Sequence, residues 1–181
     1  MSNILQFKIT LKDIKPKIWR RFLISDSWTF DKLHRIIQEI MGWENYHLYE
    51  FRFGNIRIIL PDEGYLEENE LDPKKVKVYE YLNKEKQKCE YVYDFGDSWE
   101  HEIIIEKIMP DQIGDKYPKC IDGERACPPE DCGGVGGYER ILEVLKTGED
   151  PGGEDVQELK EWLGKWNPEE FDINKINKNI A

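Results

Sequence analysis

The ten residues YDFGDSWEHE, Tyr93 to Glu102, decide how this chain is read, because they place two aspartates, two glutamates, a histidine, a tryptophan and one glycine side by side. They are either an acidic site or a turn between two strands. Tyr91 and Tyr93 share one face of an extended run, and Trp99, His101, Ile103 and Ile105 share a face of the next. Period-two alternation of this kind predicts an antiparallel pair, Glu90 to Phe95 and Trp99 to Ile108. Phe95-Gly96-Asp97-Ser98 is then the turn. Gly96 is expected to supply its positive φ, and Asp94 and Asp97 to accept hydrogen bonds from turn amides. The same atoms have a second use. Asp94, Asp97 and His101 can converge on a divalent cation, and a histidine beside carboxylates can act as a general base. His101 has apolar neighbours, however, and a histidine so placed is more often a hydrogen-bonded core residue.

Upstream of this pair, Leu5, Phe7, Ile9 and Leu11 alternate as a half-buried strand, and Ile18 to Ile24 reads as a second one beyond Pro16. Thr29 can cap a helix with Asp31 in its first turn, Leu33, Ile36, Ile37 and Ile40 on one face, and Gly42 at its end. His34 lies beside that face. Leu48 to Phe53 and Ile56 to Leu60 flank Gly54-Asn55 as a hairpin. Asp62 to Lys75 reads as exposed loop, and Val76 to Leu82 suits either a strand or a short helix. Downstream, Met109 to Pro129 reads as irregular. Helices are expected at Gly137 to Leu145, around Val156 to Leu163, and in the tail after Pro168. Strands before residue 108 and helices after it predict an α+β fold: one domain over 1–181, a mostly antiparallel sheet with hairpins, one early helix, and C-terminal helices packed on it.

With 181 residues, of which 39% are hydrophobic, the chain can bury a single core. Its net charge of −11 and pI near 4.9 disfavour sequence-independent binding of DNA or RNA, which needs a basic face. Only a local patch, Lys15, Lys17, Arg20 and Arg21, offers such a contact. No run of about 20 apolar residues predicts a membrane span, and MSNILQFKITLK does not read as a signal peptide. A cytoplasmic location follows by default, with reduced cysteines.

Cys120, Cys127 and Cys132 are spaced C-x6-C-x4-C. Three thiols in one loop suggest zinc, with Cys89 or His101 as a fourth ligand, but the C-x2-4-C knuckle is missing. Gly133-Gly134 and Gly136-Gly137 precede a helix and can expose amides to an anion. No Lys-Ser or Lys-Thr follows, so this is no phosphate-binding P-loop. Pro128-Pro129-Glu130-Asp131 is expected to set a rigid turn. No Ser-His-Asp or Cys-His nucleophile stands out.

The phrases PKIWRRFLI, LHRIIQEIMGWENYHLYEF, YVYDFGDSWEHEI, CIDGERACPPEDCGG and GYERILEVL, followed by LKEWLG and FDINKIN, occur in this order. Together they resemble the plasmid pRiA4b ORF-3-like family, from about Ile4 to Asn177. The resemblance implies a single α+β domain and an association with mobile genetic elements. It places any shared site at Trp19, Arg20, Arg21, His47, Asp94, Gly96, Asp97, Trp99, His101, Glu130, Asp131, Gly133 and Gly134. It also implies a departure: where the family pattern has His-Leu-His, this chain has His47-Leu48-Tyr49, so a metal site needing both histidines would lose a ligand.

Two functions follow. A non-catalytic binding or accessory protein, with a protein or nucleic-acid partner, is favoured because no catalytic constellation is evident. The alternative is a metal-dependent hydrolase using Asp94, Asp97 and His101 with Glu130 and Asp131. Both require the acidic hairpin and the proline–glycine loop to meet in the fold.

Overall fold

Leu5, Phe7, Ile9 and Leu11 do alternate inward, and the strand they form is central. The computed structural model describes residues 2–111, 116–153 and 155–180. Strand β1 (Asn3–Leu11) pairs antiparallel with β2 (Trp19–Ser25) on one side and with β7 (Trp99–Pro110) on the other. A bulge between Gln6 and Phe7 shifts the register against β7. Beyond β7 lie β6 (Lys88–Tyr93), β3 (Tyr49–Phe53) and β4 (Ile56–Ile59), all antiparallel. The edges are the two-residue β5 (Glu70–Leu71), parallel to β4, and β8 (Lys119–Glu124), antiparallel to β2. Among the described residues this is one eight-stranded sheet, in the order β5-β4-β3-β6-β7-β1-β2-β8.

The expected early helix is α1 (Phe30–Met41). Thr29 Oγ1 accepts from Lys32 N at 3.3 Å, and Gly42 closes the helix at φ 97°. Phe30, Leu33, Ile37 and Ile40 are fully buried against Phe22, Phe51, Tyr91 and Ile103 of the sheet core. Each such side chain contributes roughly 1.5–3 kcal/mol by leaving water. The four further helices are α2 (Val78–Tyr81), α3 (Gly134–Thr147), α4 (Val156–Leu163) and α5 (Ile173–Asn179). The fold is α+β, as expected, and no helix among the described residues is long and apolar enough to cross a membrane.

Three expectations change. The loop 62–75 contains β5, and the stretch 109–129 contains the end of β7 and all of β8; its residues 112–115 lie outside the described ones. Neither edge strand shows clean alternation, because β5 has only two residues and β8 meets β2 across a register shift between Arg21 and Phe22. The segment 76–82 resolves to the single turn α2. Edge strand β8 is also held from outside the sheet: the side-chain amide of Asn177, on α5, accepts from Cys120 N and donates to Cys120 O, both at 2.8 Å.

The opposite face of the sheet carries paired charges. Lys12 bridges Glu90 and Glu100 at 2.8 and 3.0 Å, and Arg21 bridges Glu106 and Asp122 at 2.6 and 3.0 Å. The core itself holds two histidines. His34 is not beside the buried face but within it, stacked on Tyr49 at 3.4 Å, with Nδ1 on the Tyr91 hydroxyl and Nε2 on Asn45. His101 sets Nδ1 on the Tyr91 carbonyl at 3.1 Å.

Burial pushes both imidazoles down to about 4. Unfolded histidines have pKa near 6.5, so the unfolded chain takes up protons that the folded one refuses. The stability they contribute is complete above pH 6.5 and is lost as the pH falls from 6.5 toward 4. Urea unfolding between pH 6.5 and 5 should weaken by up to about 1.4 kcal/mol per pH unit for each histidine. His101→Phe should remove one such increment from the slope.

Candidate metal centre at the hairpin tip

Strand β6 turns Tyr93 inward, and the chain then reverses at Asp94. The turn does not use Gly96 as expected: the left-handed residues are Asp94 at φ 58° and Ser98 at φ 56°. Asp94 takes this conformation because its own side chain replaces strand bonds. Its Oδ1 accepts from the amides of Gly96 and Asp97 at 2.9 and 3.3 Å, and its carbonyl accepts from Ser98 N at 2.6 Å. Gly96 is needed for room instead, since a Cβ there would lie 3.2 Å from Asp94 Oδ1.

The tip is docked onto the proline–glycine loop. Asp97 Oδ2 accepts from Gly133 N at 3.1 Å. Gly133, at φ 91°, precedes α3, which therefore begins at Gly134 rather than Gly137. The anion received by this glycine-rich loop is thus the protein's own carboxylate. Glu130 Oε1 accepts from the Tyr93 hydroxyl at 3.0 Å and from Glu44 N at 2.8 Å. Trp43 Nε1 donates to Pro128 O at 3.0 Å.

A third segment, 43–47, delivers a histidine. Asn45 N donates to Gln38 Oε1 at 3.0 Å, and Tyr46 N donates to the Tyr93 hydroxyl at 3.1 Å. Held this way, His47 Nε2 stands 3.0 Å from Asp131 Oδ1, 3.6 Å from Asp94 Oδ2 and 3.8 Å from Glu130 Oε2. No separation among these is a well-aligned hydrogen bond: His47 Nε2 and Glu130 Oε2 are buried atoms without a hydrogen-bond partner. The Asp94 side chain is only 8% exposed, and its Oδ2 accepts no hydrogen bond from the described residues. Ligand-type atoms of His47, Asp94 and Asp131 therefore lie within 4.8 Å of each other, and Glu130 Oε2 approaches this group from the side of His47 Nε2. Metal bonds of about 2.0–2.2 Å at tetrahedral angles put ligand atoms roughly 3.3–3.6 Å apart, and the separations from His47 Nε2, 3.0 to 3.8 Å, fall on either side of that range. One imidazole and three carboxylates suit a first-row divalent ion. Asp131, at 69% exposure, leaves one side open to solvent. Burial, then the Glu130 charge, pushes the Tyr93 phenol well above its ordinary value, so it remains a donor.

The remaining sequence candidates separate. His101 and Trp99 face the core, both fully buried, so the histidine of the cluster is His47 and not His101. Strand alternation is the reason: residues 99 and 101 lie on the inner face with Ile103. Trp19 and Arg21 lie on the charged outer face, where Lys8 and Arg21 pack on the Trp19 ring at 4.4 and 5.1 Å. Arg20 turns inward between them. Cys120, Cys127 and Cys132 do not form a ligand group among the described residues. Burial pushes the Cys127 and Cys132 thiols up to about 12, in keeping with small groups packed in or beside the core. Tyr49 stacks on His34 and donates to Asp31, away from the cluster, so a tyrosine there costs this set no ligand. Tyr93, Trp43 and Asn45, which hold the site together, were not singled out from the sequence. The inward alternation of Tyr91 and Tyr93 was the signal available for the first.

The family model for plasmid pRiA4b ORF-3-like proteins matches residues 3–175. This chain belongs to that family. Within it, the Uncharacterized protein y4hQ of Sinorhizobium fredii is 33% identical over 183 residues, covering 99% of this chain and 92% of its own. The crystal structure of MM3350 from Methanosarcina mazei Go1, a protein of unknown function, superposes with a TM-score of 0.85 at 38% identity, covering 100% of this chain and 99% of that one. The pRiA4b ORF-3-like fold is thus shared over its full length.

The docking of tip and loop is sterically exacting. A Cβ at Gly134, which has φ 67°, would lie 2.7 Å from the Asp97 carbonyl oxygen. Gly134→Ala should cost about 2 kcal/mol or more in urea unfolding. Gly136→Ala, inside α3 with nothing within 4 Å of the added carbon, should instead leave stability unchanged or raise it by about 0.5–1 kcal/mol.

Proposed function

We propose that this protein is a divalent-cation-binding domain whose cation joins His47, Asp94, Glu130 and Asp131 and presents its open side to an oxygen-bearing ligand. The observation that carries this reading is the pair of buried, unpartnered ligand atoms, His47 Nε2 and Glu130 Oε2, facing each other at 3.8 Å beside two further carboxylates. Such atoms are costly unless something pairs with them, and a divalent cation satisfies all of them at once. The site joins three segments distant in sequence, so occupancy would tie the loop after α1, the hairpin tip and the start of α3 together. Partner capture through the cation fits the preference for a binding role. Hydrolysis is a second reading, supported by the solvent-open side at Asp131, where a metal-bound water has room.

Protein purified without a metal-affinity tag and stripped with chelator should bind one Mn2+ or Zn2+ in calorimetric titration. At a hundredfold excess over Kd, the ion should add about 2.7 kcal/mol to the unfolding free energy. His47→Ala and Asp94→Asn should abolish this gain while circular dichroism stays native. Neither ion stabilising the wild type would overturn the reading. Cation-dependent turnover of p-nitrophenyl esters or phosphates, lost in the same variants, would select hydrolysis over capture.

A further inference from the structure

Arg20 belongs to a different part of the molecule from the cation cluster. It lines a cavity of about 210 Å3 between the C-terminal end of α1 and α5. Its side chain is turned inward by strand alternation and is 2% exposed. Nε donates to Ile40 O at 2.7 Å, and Nη1 to the carbonyls of Trp19 and Glu124, both at 2.8 Å. Because α1 has no basic residue in its last turn, Arg20 is the cation that this helix end favours. The guanidinium also packs on the Phe171 ring at 4.9 Å.

These contacts use two of its three nitrogens. Nη2 makes no hydrogen bond to the described residues, and no carboxylate among them pairs with the guanidinium. The neighbours whose charge would favour its own are the thiols of Cys127 and Cys120, and burial pushes its pKa down. A buried cation without an anion is unfavourable, and a ligand anion would relieve it. The cavity walls, Met41, Trp166, Phe171 and Ile176, are apolar. Its exposed lining carries Glu39, Glu170 and Asp172 against one cation, Lys175, so that the rim is acidic on balance. Asp172 is engaged in capping α5, and Glu170 lies 3.9 Å from Lys175. That acidic rim repels multiply charged anions such as phosphate but tolerates one negative charge delivered to Arg20.

We propose that this cavity binds a small organic monocarboxylate with a flat apolar body, its carboxylate on Arg20 Nη2 and its body against Phe171, Trp166 and Met41. The proposal is independent of the cation site. Its test is a 1H–15N NMR titration of the full chain in chelator with benzoate, benzamide and inorganic phosphate as probes. Benzoate should shift the Arg20 side-chain and Trp166 indole resonances saturably. Benzamide should bind at least about tenfold more weakly, because it lacks the charge, and phosphate should leave these signals unmoved. Phe171→Leu, which keeps the wall apolar but removes the ring over the guanidinium, should weaken benzoate severalfold without loss of fold. Arg20→Gln, which removes the positive charge, should abolish the benzoate preference over benzamide; if that variant does not fold, the benzoate–benzamide comparison and Phe171→Leu decide alone. Equal binding of benzoate and benzamide, phosphate binding at the same signals, or no saturable shift would each overturn the proposal.

Discussion

Glu130 divides its two oxygens between the fold and the candidate site, and the arrangement of both follows from that division. Oε1 accepts from the Tyr93 hydroxyl and from Glu44 N, which pins the proline-rich loop to the end of β6 and to the segment leaving α1. With that oxygen committed, Oε2 is left beside His47, 3.8 Å from its Nε2. Tyr93 can serve as the donor only because β6 alternates, sending its ring inward against Trp43 at 4.9 Å while the chain reverses at the next residue. The period of a strand and the reach of one glutamate thus bring together parts of the chain more than eighty residues apart.

The same arrangement is energetically opposed to itself. The acidic side chains of Asp94 and Asp131 are gathered with His47 within 4.8 Å of one another, a spacing at which like charges repel. Asp94 and Asp131 both occupy left-handed backbone, at φ 58° and 54°, which L residues with a side chain seldom adopt. Hydrogen bonds from turn amides to Asp94 Oδ1 offset part of this, as does the imidazole of His47. A cation at the centre would turn the repulsion into attraction.

Much of the fold was legible because the core strands alternate and α1 carries both its caps; Thr29, Gly42 and the run Leu5, Phe7, Ile9, Leu11 sufficed. The edge strands were not, since β5 and β8 bury one side only and carry glycine, lysine and acid within a few residues. The meeting of hairpin tip and proline–glycine loop was anticipated, and Asp94, Glu130 and Asp131 were among the residues named for it, with His47 and His101 both named through the family resemblance. The identity of the histidine was harder. His101 is adjacent to the acidic turn in sequence but points the other way, whereas His47 reaches the cluster only through long-range contacts made by Tyr93 and Gln38. The basic patch misled for a similar reason: Arg20 and Arg21 are neighbours in the chain on opposite faces of the sheet.

The clamp of Asn177 on Cys120 bears on how copies of this molecule coexist. An outermost strand offers its peptide groups to any passing chain that can extend the sheet. Here one carboxamide, projecting from α5, occupies both the amide and the carbonyl of a residue on that margin. At Cys120 a side chain thereby takes the place that the backbone of a ninth strand would fill, so that an approaching chain would have to displace α5 before it could pair there.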